Sequence, residues 1–277
     1  MKKIAIQGIS GCFHEMAARK HFGEEVEMVE CDSFRKVCSA LNTGVADLAV
    51  MAIENTLAGS ILPNYSLIQK NHFFIIGEVY LKIQMNLMAL PGIAFQEIRK
   101  VISHPVALAQ CEDFLETNME KAELKEFHDT AAAAKHIFDE KLTKTAAIAN
   151  ELSAKMYGLS ILERNIQTHK NNYTRFLILS REKVEIPTAN KASLSLQTNH
   201  TPGSLAKVLN IFSENKVNLT KIQSVPIIGK PYQYAFKIDV EWDNRENYTN
   251  SLKLLKQHDT SVQILGEYPK EDYLLAL

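Results

Sequence analysis

The chain has few cysteines and no long hydrophobic run. Its four cysteines, Cys12, Cys31, Cys38 and Cys111, lie far apart among 277 residues without a C-x-x-C pair, so we expect no disulfide framework. They should be reduced and mostly buried. No apolar run reaches the roughly 18 residues that cross a bilayer, and the N-terminal segment becomes polar too early for a signal peptide. A cytoplasmic protein without a membrane partner is predicted.

Neither sign of charge is in excess. Lys and Arg number 31 against 32 Asp and Glu, which gives a formal net charge of −1, and both signs are mixed along the chain. Without a basic stripe to neutralise phosphates, nucleic acid is not an expected partner. The composition, 46% hydrophobic and 23% charged, is typical of a globular chain with a sizeable core, and the length fits one large or two ordinary domains.

Several catalytic motifs are also missing. The turn Gly8-Ile9-Ser10-Gly11 lacks the G-x-G-x-x-G spacing, and the chain has no Walker A loop and no nucleophile elbow. A nucleotide enzyme or a triad hydrolase is therefore not expected. The nine histidines show no H-E-x-x-H or comparable spacing, so no metal site is predicted.

The first part of the chain alternates β-rich runs with helical patterns, which indicates a parallel α/β fold. The predicted strands are 3–7, 26–31, 47–53, 100–102, 124–127 and 146–149. Residues 73–90 look extended and would cross from one lobe to another, with a return through 161–179. We expect one domain at 1–182, with lobes at roughly 1–78 plus 162–182 and at 79–161, and a cleft between them.

A second pattern follows a linker at 182–191. Strand, helix, strand, strand, helix, strand is the ferredoxin-like order, and the clearest strand alternates Tyr234, Phe236, Ile238, Val240 and Trp242. The sequence therefore predicts a smaller βαββαβ domain at 192–277.

Small or hydroxyl-bearing residues follow several strands of the first domain, at Ser10-Gly11, Thr56, Ser103 and Thr130. Ligands of open α/β sheets lie beyond the carboxyl ends of the strands, where helix N-termini attract anions. A small anionic ligand is predicted, although each of these residues could also be a simple helix cap.

Polar residues also precede the apolar run at 177–179. Among them Arg175 could offer a bidentate fork to a substrate carboxylate or pair with a structural Glu. His104, before Pro105 at a helix start, is expected to be a hydrogen-bonded neighbour of the site rather than a proton donor.

Five segments in register resemble the prephenate dehydratase family. They are Gly8-Ile9-Ser10-Gly11-Cys12-Phe13, Ala52-Ile53-Glu54-Asn55-Thr56, Ser103-His104-Pro105 through Cys111, Asp129-Thr130-Ala131-Ala132-Ala133-Ala134, and Asn172-Tyr173-Thr174-Arg175-Phe176. The C-terminal Pro202-Gly203-Ser204-Leu205 and Asn218-Leu219-Thr220 look like an ACT domain. The resemblance implies a bilobal, periplasmic-binding-protein-like catalytic domain that converts prephenate to phenylpyruvate without a cofactor. It also implies phenylalanine as effector and a homodimer or homotetramer.

The resemblance also assigns residue roles. Thr174 would assist the departing hydroxyl as the catalytic residue, with Arg175 gripping a carboxylate that stays. The other expected substrate-binding residues are Ser10, Gly11, Glu54, Asn55, Thr56, Ser103, His104, Thr130, Ala131, Asn172 and Phe176. The expected phenylalanine-binding residues are Asn199, Pro202, Gly203, Ser204, Leu205, Gln223 and Ser224.

The chain departs from the usual family pattern in several places. Cys12 and His14 stand where Thr and Ser are common, Ala52 where Pro is common, and Val106 where a glutamine often follows Ser-His-Pro. In the ACT-like region, Gln223-Ser224-Val225-Pro226 carries two charges fewer than the family's motif, which could alter feedback. The open alternatives are an arogenate dehydratase and, from another class, a ligand-binding sensor with an inactive cleft.

Overall fold

A computed structural model describes residues 1–199, 201–227, 234–258 and 260–271. These form two compact units. One contains Met1–Asn64 and Val79–Phe176, and the other contains Tyr65–Glu78 and residues 177–271. Both combine helices with sheets, which confirms the predicted α/β fold class.

The elements up to residue 180 alternate as the sequence indicates. In chain order they are β1 (Lys2–Gln7), α1 (Phe13–Phe22), β2 (Val26–Cys31), α2 (Phe34–Asn42), β3 (Leu48–Asn55), β4 (Gly59–Ser60), α3 (Leu62–Lys70), β5 (Phe74–Lys82), β6 (Asn86–Ala89), a short 3-10 helix (Phe95–Glu97), β7 (Lys100–Ser103), α4 (Pro105–Gln110), α5 (Glu112–Asn118), β8 (Glu123–Glu126), α6 (Thr130–Glu140), β9 (Thr145–Ala149), α7 (Glu151–Met156), β10 (Ser160–Glu163) and β11 (Tyr173–Ser180).

Two sheets define two lobes. The first has the order β2-β1-β3-β11-β5, with β4 beside β3, and the second, read from one edge, has the order β8-β7-β9-β6-β10. In the first sheet β2, β1 and β3 are followed by β11, and in the second β8, β7 and β9 are followed by β6. Strands β11 and β6 each belong to a segment that crosses between the lobes. The predicted crossings through 73–90 and 161–179 are confirmed, and this repeated order is the periplasmic-binding-protein-like arrangement.

Local sequence explains where the helices begin. The side chains of Ser33, Asp129 and Asn150 accept hydrogen bonds from backbone N–H groups three residues on, which caps α2, α6 and α7. Before α1, Gly8 and Gly11 have φ of +110° and +89°, a conformation that favours glycine. In the first lobe, β1 and β2 are thus each followed by a turn that leads into a helix N-terminus.

The C-terminal elements have the predicted ferredoxin-like order. They are β12 (Lys191–Gln197), α8 (Ser204–Glu214), β13 (Asn218–Pro226), β14 (Tyr234–Glu241), α9 (Arg245–Gln257) and β15 (Ser261–Tyr268), with an antiparallel sheet in the order β13-β14-β12-β15. Apolar residues such as Leu194 and Val240 face one side, in a core with Val208 and Phe212 of α8.

The other face of this sheet is polar and buried. Lys191 lies 3.0 Å from Glu78, and Lys237 Nζ donates to Gln69 Oε1 at 2.6 Å. The α3 and β5 residues that carry these partners belong to the same compact unit. Burial lowers the pKa of Lys237 to about 8.

Some boundaries differ from the sequence prediction. Strand β3 extends through Asn55 because Glu54 and Asn55 pair with β4, whereas a strand ending at residue 53 was predicted.

All four cysteines are free and buried, as expected. Within the described ranges, each helix is too short or too polar to traverse a bilayer.

Candidate active site

A cavity of about 330 Å³ lies between the two lobes of the first unit. Its walls come from the carboxyl ends of strands and the helix starts that follow them. The lining residues are Gln7, Cys12, Phe13, His14, Phe34, Ala52, Asn55, Ala58, Ile61, Ile83, Met85, His104, Val106, Ala107, Gln110, His128, Asp129, Thr130, Thr174 and Phe176. The location matches the rule for open α/β sheets, on which the prediction of a cleft site rested.

Three helix N-termini line this cavity. Phe13 and His14 begin α1, Val106 follows the cap of α4, and Thr130 begins α6. The dipole of each helix is positive at this end. In α1 and α6 the first turn also carries backbone N–H groups without intrahelical acceptors, whereas in α4 Pro105 has no N–H and the N–H groups of Val106 and Ala107 donate to His104. The tips of separate βα units thus meet around one space, which suits an anion.

Thr174 lies on the cavity wall at the start of β11. Its Oγ1 accepts a hydrogen bond from Asn55 Nδ2 at 3.0 Å, and the residue is 8% exposed. Because the amide donates, the hydroxyl hydrogen of Thr174 remains available for another acceptor. That acceptor can be a molecule in the cavity.

Asn55 is held by a network that spans the lobes. Its Nδ2 also donates to Asn172 Oδ1 at 2.7 Å, and Asn172 Nδ2 donates to Gln110 Oε1 at 3.2 Å. The backbone N–H groups of Leu57 and Ala58 donate to Asn55 Oδ1, each at 2.9 Å. The amide therefore cannot rotate without losing several bonds, and Thr174 has a fixed donor.

Arg175 does not line the cavity. Side chains alternate along a strand, so Thr174 and Phe176 face the cavity while Arg175 points to the opposite face. There its guanidinium lies 5.8 Å from the centre of the Tyr80 ring, and the residue is 4% exposed. The expected fork to a substrate carboxylate is thus not part of this cavity wall.

Ser10 and Gly11 hold the lobes together instead of lining the cavity. The carbonyl of Ser10 accepts from Tyr157 Oη at 2.5 Å. The carbonyl of Gly11 accepts from Asn150 Nδ2 at 2.7 Å and from Ser153 Oγ at 2.9 Å. These bonds join the loop before α1 in the first lobe to α7 and the residues that flank it in the second.

Five further predicted residues lie outside the lining, among them the fully buried Asn172 of the Asn55 network. Thr56 Oγ1 accepts from Tyr173 N at 3.0 Å, and Ser103 Oγ donates to Ile148 O at 2.6 Å, so both hydroxyls support sheets. Glu54 is part of the β3–β4 pairing. Ala131 is fully buried behind the cavity wall in α6.

Two more of the predicted substrate-binding residues, His104 and Thr130, lie on the cavity wall. His104 lines it and caps α4, because its Nδ1 accepts from Val106 N at 3.2 Å. Thr130 lines it from the first turn of α6. A hydrogen-bonded His104 agrees with the interpretation of this residue as a neighbour of the site.

Sequence reasoning did not select Cys12, His14, Gln110 or Asp129 as site residues. All four line the cavity. Cys12, Gln110 and Asp129 lie inside the segments that carry the family resemblance and His14 directly follows one of them, which is the signal that could have identified them. Burial raises the pKa of the Cys12 thiol to about 12 and lowers the pKa of His14 to about 3, so both are neutral near pH 7.

A second cavity, of about 260 Å³, lies within the C-terminal unit. Its lining residues are Gln197, Thr198, Asn199, Thr201, Ser204, Leu205, Ile227, Tyr234 and Phe236. Three of the predicted effector residues, Asn199, Ser204 and Leu205, are among them. Pro202, Gly203, Gln223 and Ser224 are not, and Gln223 Nε2 donates to the neighbouring Ser224 O at 3.0 Å.

The geometry can be compared with known proteins. The sequence profile of the family described as prephenate dehydratase matches residues 4–184. The chain belongs to the prephenate dehydratase family. It is 38% identical over 286 residues to arogenate dehydratase/prephenate dehydratase 2, chloroplastic, of Arabidopsis thaliana, which covers 99% of this chain and 74% of the relative.

Other relatives of this dehydratase differ in their descriptions. The bifunctional chorismate mutase/prephenate dehydratase of Aquifex aeolicus (strain VF5) is 32% identical over 269 residues, covering 97% of this chain and 74% of the relative. A prephenate dehydratase from Arthrobacter aurescens, solved in complex with L-Phe, superposes with a TM-score of 0.85 at 26% identity, covering 98% of this chain and 90% of that one. A protein described as a novel type of quorum quenching acylase superposes with a TM-score of 0.87 at 29% identity, covering 99% and 100%.

This dehydratase shows no metal-binding cluster in the part of the chain that the structure describes. Groups of three or more His, Cys, Asp or Glu side chains suited to hold an ion are not found there.

Proposed function

We propose that this dehydratase acts on prephenate and releases phenylpyruvate, carbon dioxide and water. The observation that carries the proposal is the Thr174 hydroxyl, which accepts from Asn55 and faces a cavity lined by three helix N-termini. Prephenate has two carboxylates and a ring hydroxyl, so it needs both an anion-binding space and a donor for the leaving oxygen.

Thr174 would donate its hydrogen to the ring hydroxyl as the C–O bond breaks. The ring carboxylate leaves as carbon dioxide, its bonding electrons enter the ring, and the C–O bonding electrons depart with hydroxide, which takes a proton from solvent to form water. Because the product ring is aromatic, the reaction is strongly favourable. A threonine is a weak acid, so we propose that it stabilises the leaving oxygen by a hydrogen bond that strengthens in the transition state.

The helix N-termini would hold the substrate carboxylates. Each contributes about 0.3 to 1 kcal/mol, so α1, α4 and α6 together supply roughly 1 to 3 kcal/mol before direct N–H bonds are counted. The lining contains no Lys or Arg. Uncharged donors suit a carboxylate that must disperse its charge, because a tight ion pair would stabilise the ground state.

The experiment is an assay of phenylpyruvate formation from prephenate, with arogenate converted to phenylalanine measured beside it. We expect the larger kcat/KM for prephenate. A larger value for arogenate would transfer the assignment to arogenate dehydratase, and no turnover of either compound would contradict the dehydratase assignment and favour a binding role.

We also propose that phenylalanine regulates the enzyme through the second cavity. Its size and its lining by Leu205 and Phe236 beside polar groups such as Asn199 suit a small amphipathic amino acid. The complex of the Arthrobacter aurescens enzyme with L-Phe supports the same effector. Calorimetric titration with phenylalanine, repeated on Leu205→Asp, tests this, and equal heats for both proteins would contradict it.

Three organisational expectations complete the proposal. The catalytic domain would comprise 1–182 and the regulatory ACT domain 192–277, with the enzyme in the cytoplasm as a homodimer or homotetramer. Light scattering coupled to size-exclusion chromatography measures the assembly, and a monomer at micromolar concentration would contradict it.

A further inference from the structure

The buried imidazole of His14 lies on the cavity wall and has no part in the chemistry proposed for Thr174. It lies in the first turn of α1 and is 8% exposed. Its ring packs edge-on against Phe176, with centroids 5.0 Å apart, and at 5.5 Å from Phe34. These aromatic contacts fix the plane of the ring, so its two nitrogens have defined surroundings.

One ring nitrogen is occupied by the protein. The backbone N–H of Ala52 donates to Nε2 at 3.3 Å. A backbone N–H can only donate, so Nε2 must present a lone pair and carry no hydrogen. In a neutral ring the single hydrogen then lies on Nδ1. Burial favours this neutral ring, since it lowers the pKa of His14 to about 3.

The second nitrogen is available to the cavity. Among the described residues, Nδ1 has no hydrogen-bond partner in the protein. It is also not one of the fully buried polar atoms without a partner, so it is accessible from outside the protein interior. Since His14 lines the cavity, the accessible Nδ1–H faces the space where a ligand would bind. A donor that the protein itself leaves without a partner can give its hydrogen bond to an oxygen of a ligand.

We propose that His14 is a substrate-binding residue whose Nδ1–H, fixed by the Ala52 contact, donates a hydrogen bond to an oxygen of the substrate. This inference rests on the proposed function for the identity of that substrate. It assigns Ala52 a positioning role, because the backbone N–H selects the tautomer. The donor stays uncharged across the physiological pH range, so it orients an oxygen without holding a carboxylate by full ion pairing.

Three variants distinguish the contribution of Nδ1 from that of Nε2. In His14→Asn the amide can place an N–H near the Nδ1 position, whereas in His14→Gln the longer side chain reaches the Nε2 position and leaves no donor at Nδ1. His14→Phe removes both. A hydrogen bond to a charged oxygen corresponds to about 10-fold to 100-fold, so we expect kcat/KM to fall by that factor in His14→Gln and His14→Phe and by about 3-fold or less in His14→Asn.

Melting temperatures of the variants separate binding from folding. The inference is overturned if His14→Gln keeps the kcat/KM of the parent while His14→Asn loses it, because the Ala52 contact alone would then matter. Equal kcat/KM in all three variants and the parent would also overturn it.

A measurement without turnover tests the tautomer directly. Nitrogen-15 chemical shifts of the His14 ring, assigned by comparison with His14→Phe, distinguish a protonated from an unprotonated nitrogen. We expect Nδ1 protonated and Nε2 unprotonated from pH 5 to 8, and a change in the Nδ1–H signal when phenylpyruvate is added. The reverse tautomer, or no change on saturation, overturns the inference. If these shifts appear but prephenate is not converted, only the proposed function fails.

Discussion

Replacing Thr174 by valine tests the proposed chemistry with little disturbance of the fold. Valine keeps the β-branched shape that a strand favours and removes only the hydroxyl. Asn55 Nδ2 then loses its acceptor at 3.0 Å but keeps Asn172 Oδ1 at 2.7 Å and the carbonyl of Tyr173 at 3.2 Å. The amide is not left unsatisfied, so we expect a loss in unfolding free energy of only about 1 kcal/mol.

The effect on catalysis should be much larger. Proton assistance to a leaving group is worth about 100-fold to 10,000-fold, which corresponds to roughly 3 to 5 kcal/mol in the activation barrier. The helix N-termini that we propose to hold the carboxylates are untouched by the substitution, so KM should stay within about 3-fold. Thr174→Val therefore separates kcat from both stability and substrate binding.

Initial rates of phenylpyruvate formation and urea unfolding measure the two effects. Thr174→Ser is the matched control, since it keeps a hydroxyl that Asn55 can hold, and it should retain kcat within about 10-fold of the parent. A Thr174→Val enzyme with a kcat equal to that of Thr174→Ser would refute the role of the hydroxyl.

Three other predictions follow from burial. A Cβ at Gly266 would lie 2.0 Å from the carbonyl oxygen of Ile75, so Gly266→Ala should lower unfolding free energy by about 3 kcal/mol or more. Gly92→Ala adds a Cβ in open space but at a φ of +83°, so it should cost only about 1 to 2 kcal/mol of backbone strain in the same urea titration. The pKa of Lys237 falls from 10.5 to about 8 on folding, so the unfolded state binds more protons between these values and stability should rise with pH there. Lys237→Met should lack that rise, and equal slopes in both proteins would contradict the reasoning. Because burial raises the pKa of Cys12 to about 12, iodoacetamide at pH 8 should label Cys12 only after unfolding, as mass spectrometry can detect.

The alternation of strands and helices was predictable because it depends on local patterns. Strand β2 and the start of α1 at Phe13 were predicted where the structure has them. The helix Leu62–Lys70 was not, because Pro63 and the polar residues around it weaken its helical period. Asn55 was also predicted beyond its strand, and only the pairing with β4 extends β3 to include it.

For the site, too, local features were predictable from the sequence and side-chain orientations were not. The sequence by itself determined that strand ends with hydroxyl and amide side chains would gather at one cleft, because βα order and turn chemistry are local properties. It also pointed to Thr174. Only the tertiary structure decided which of these side chains reach the cavity. Strand pleating turned Arg175 away, Ser103 became a sheet support, and contacts with Ala52 and Phe176 gave His14 a fixed donor, since orientation depends on partners distant in the chain.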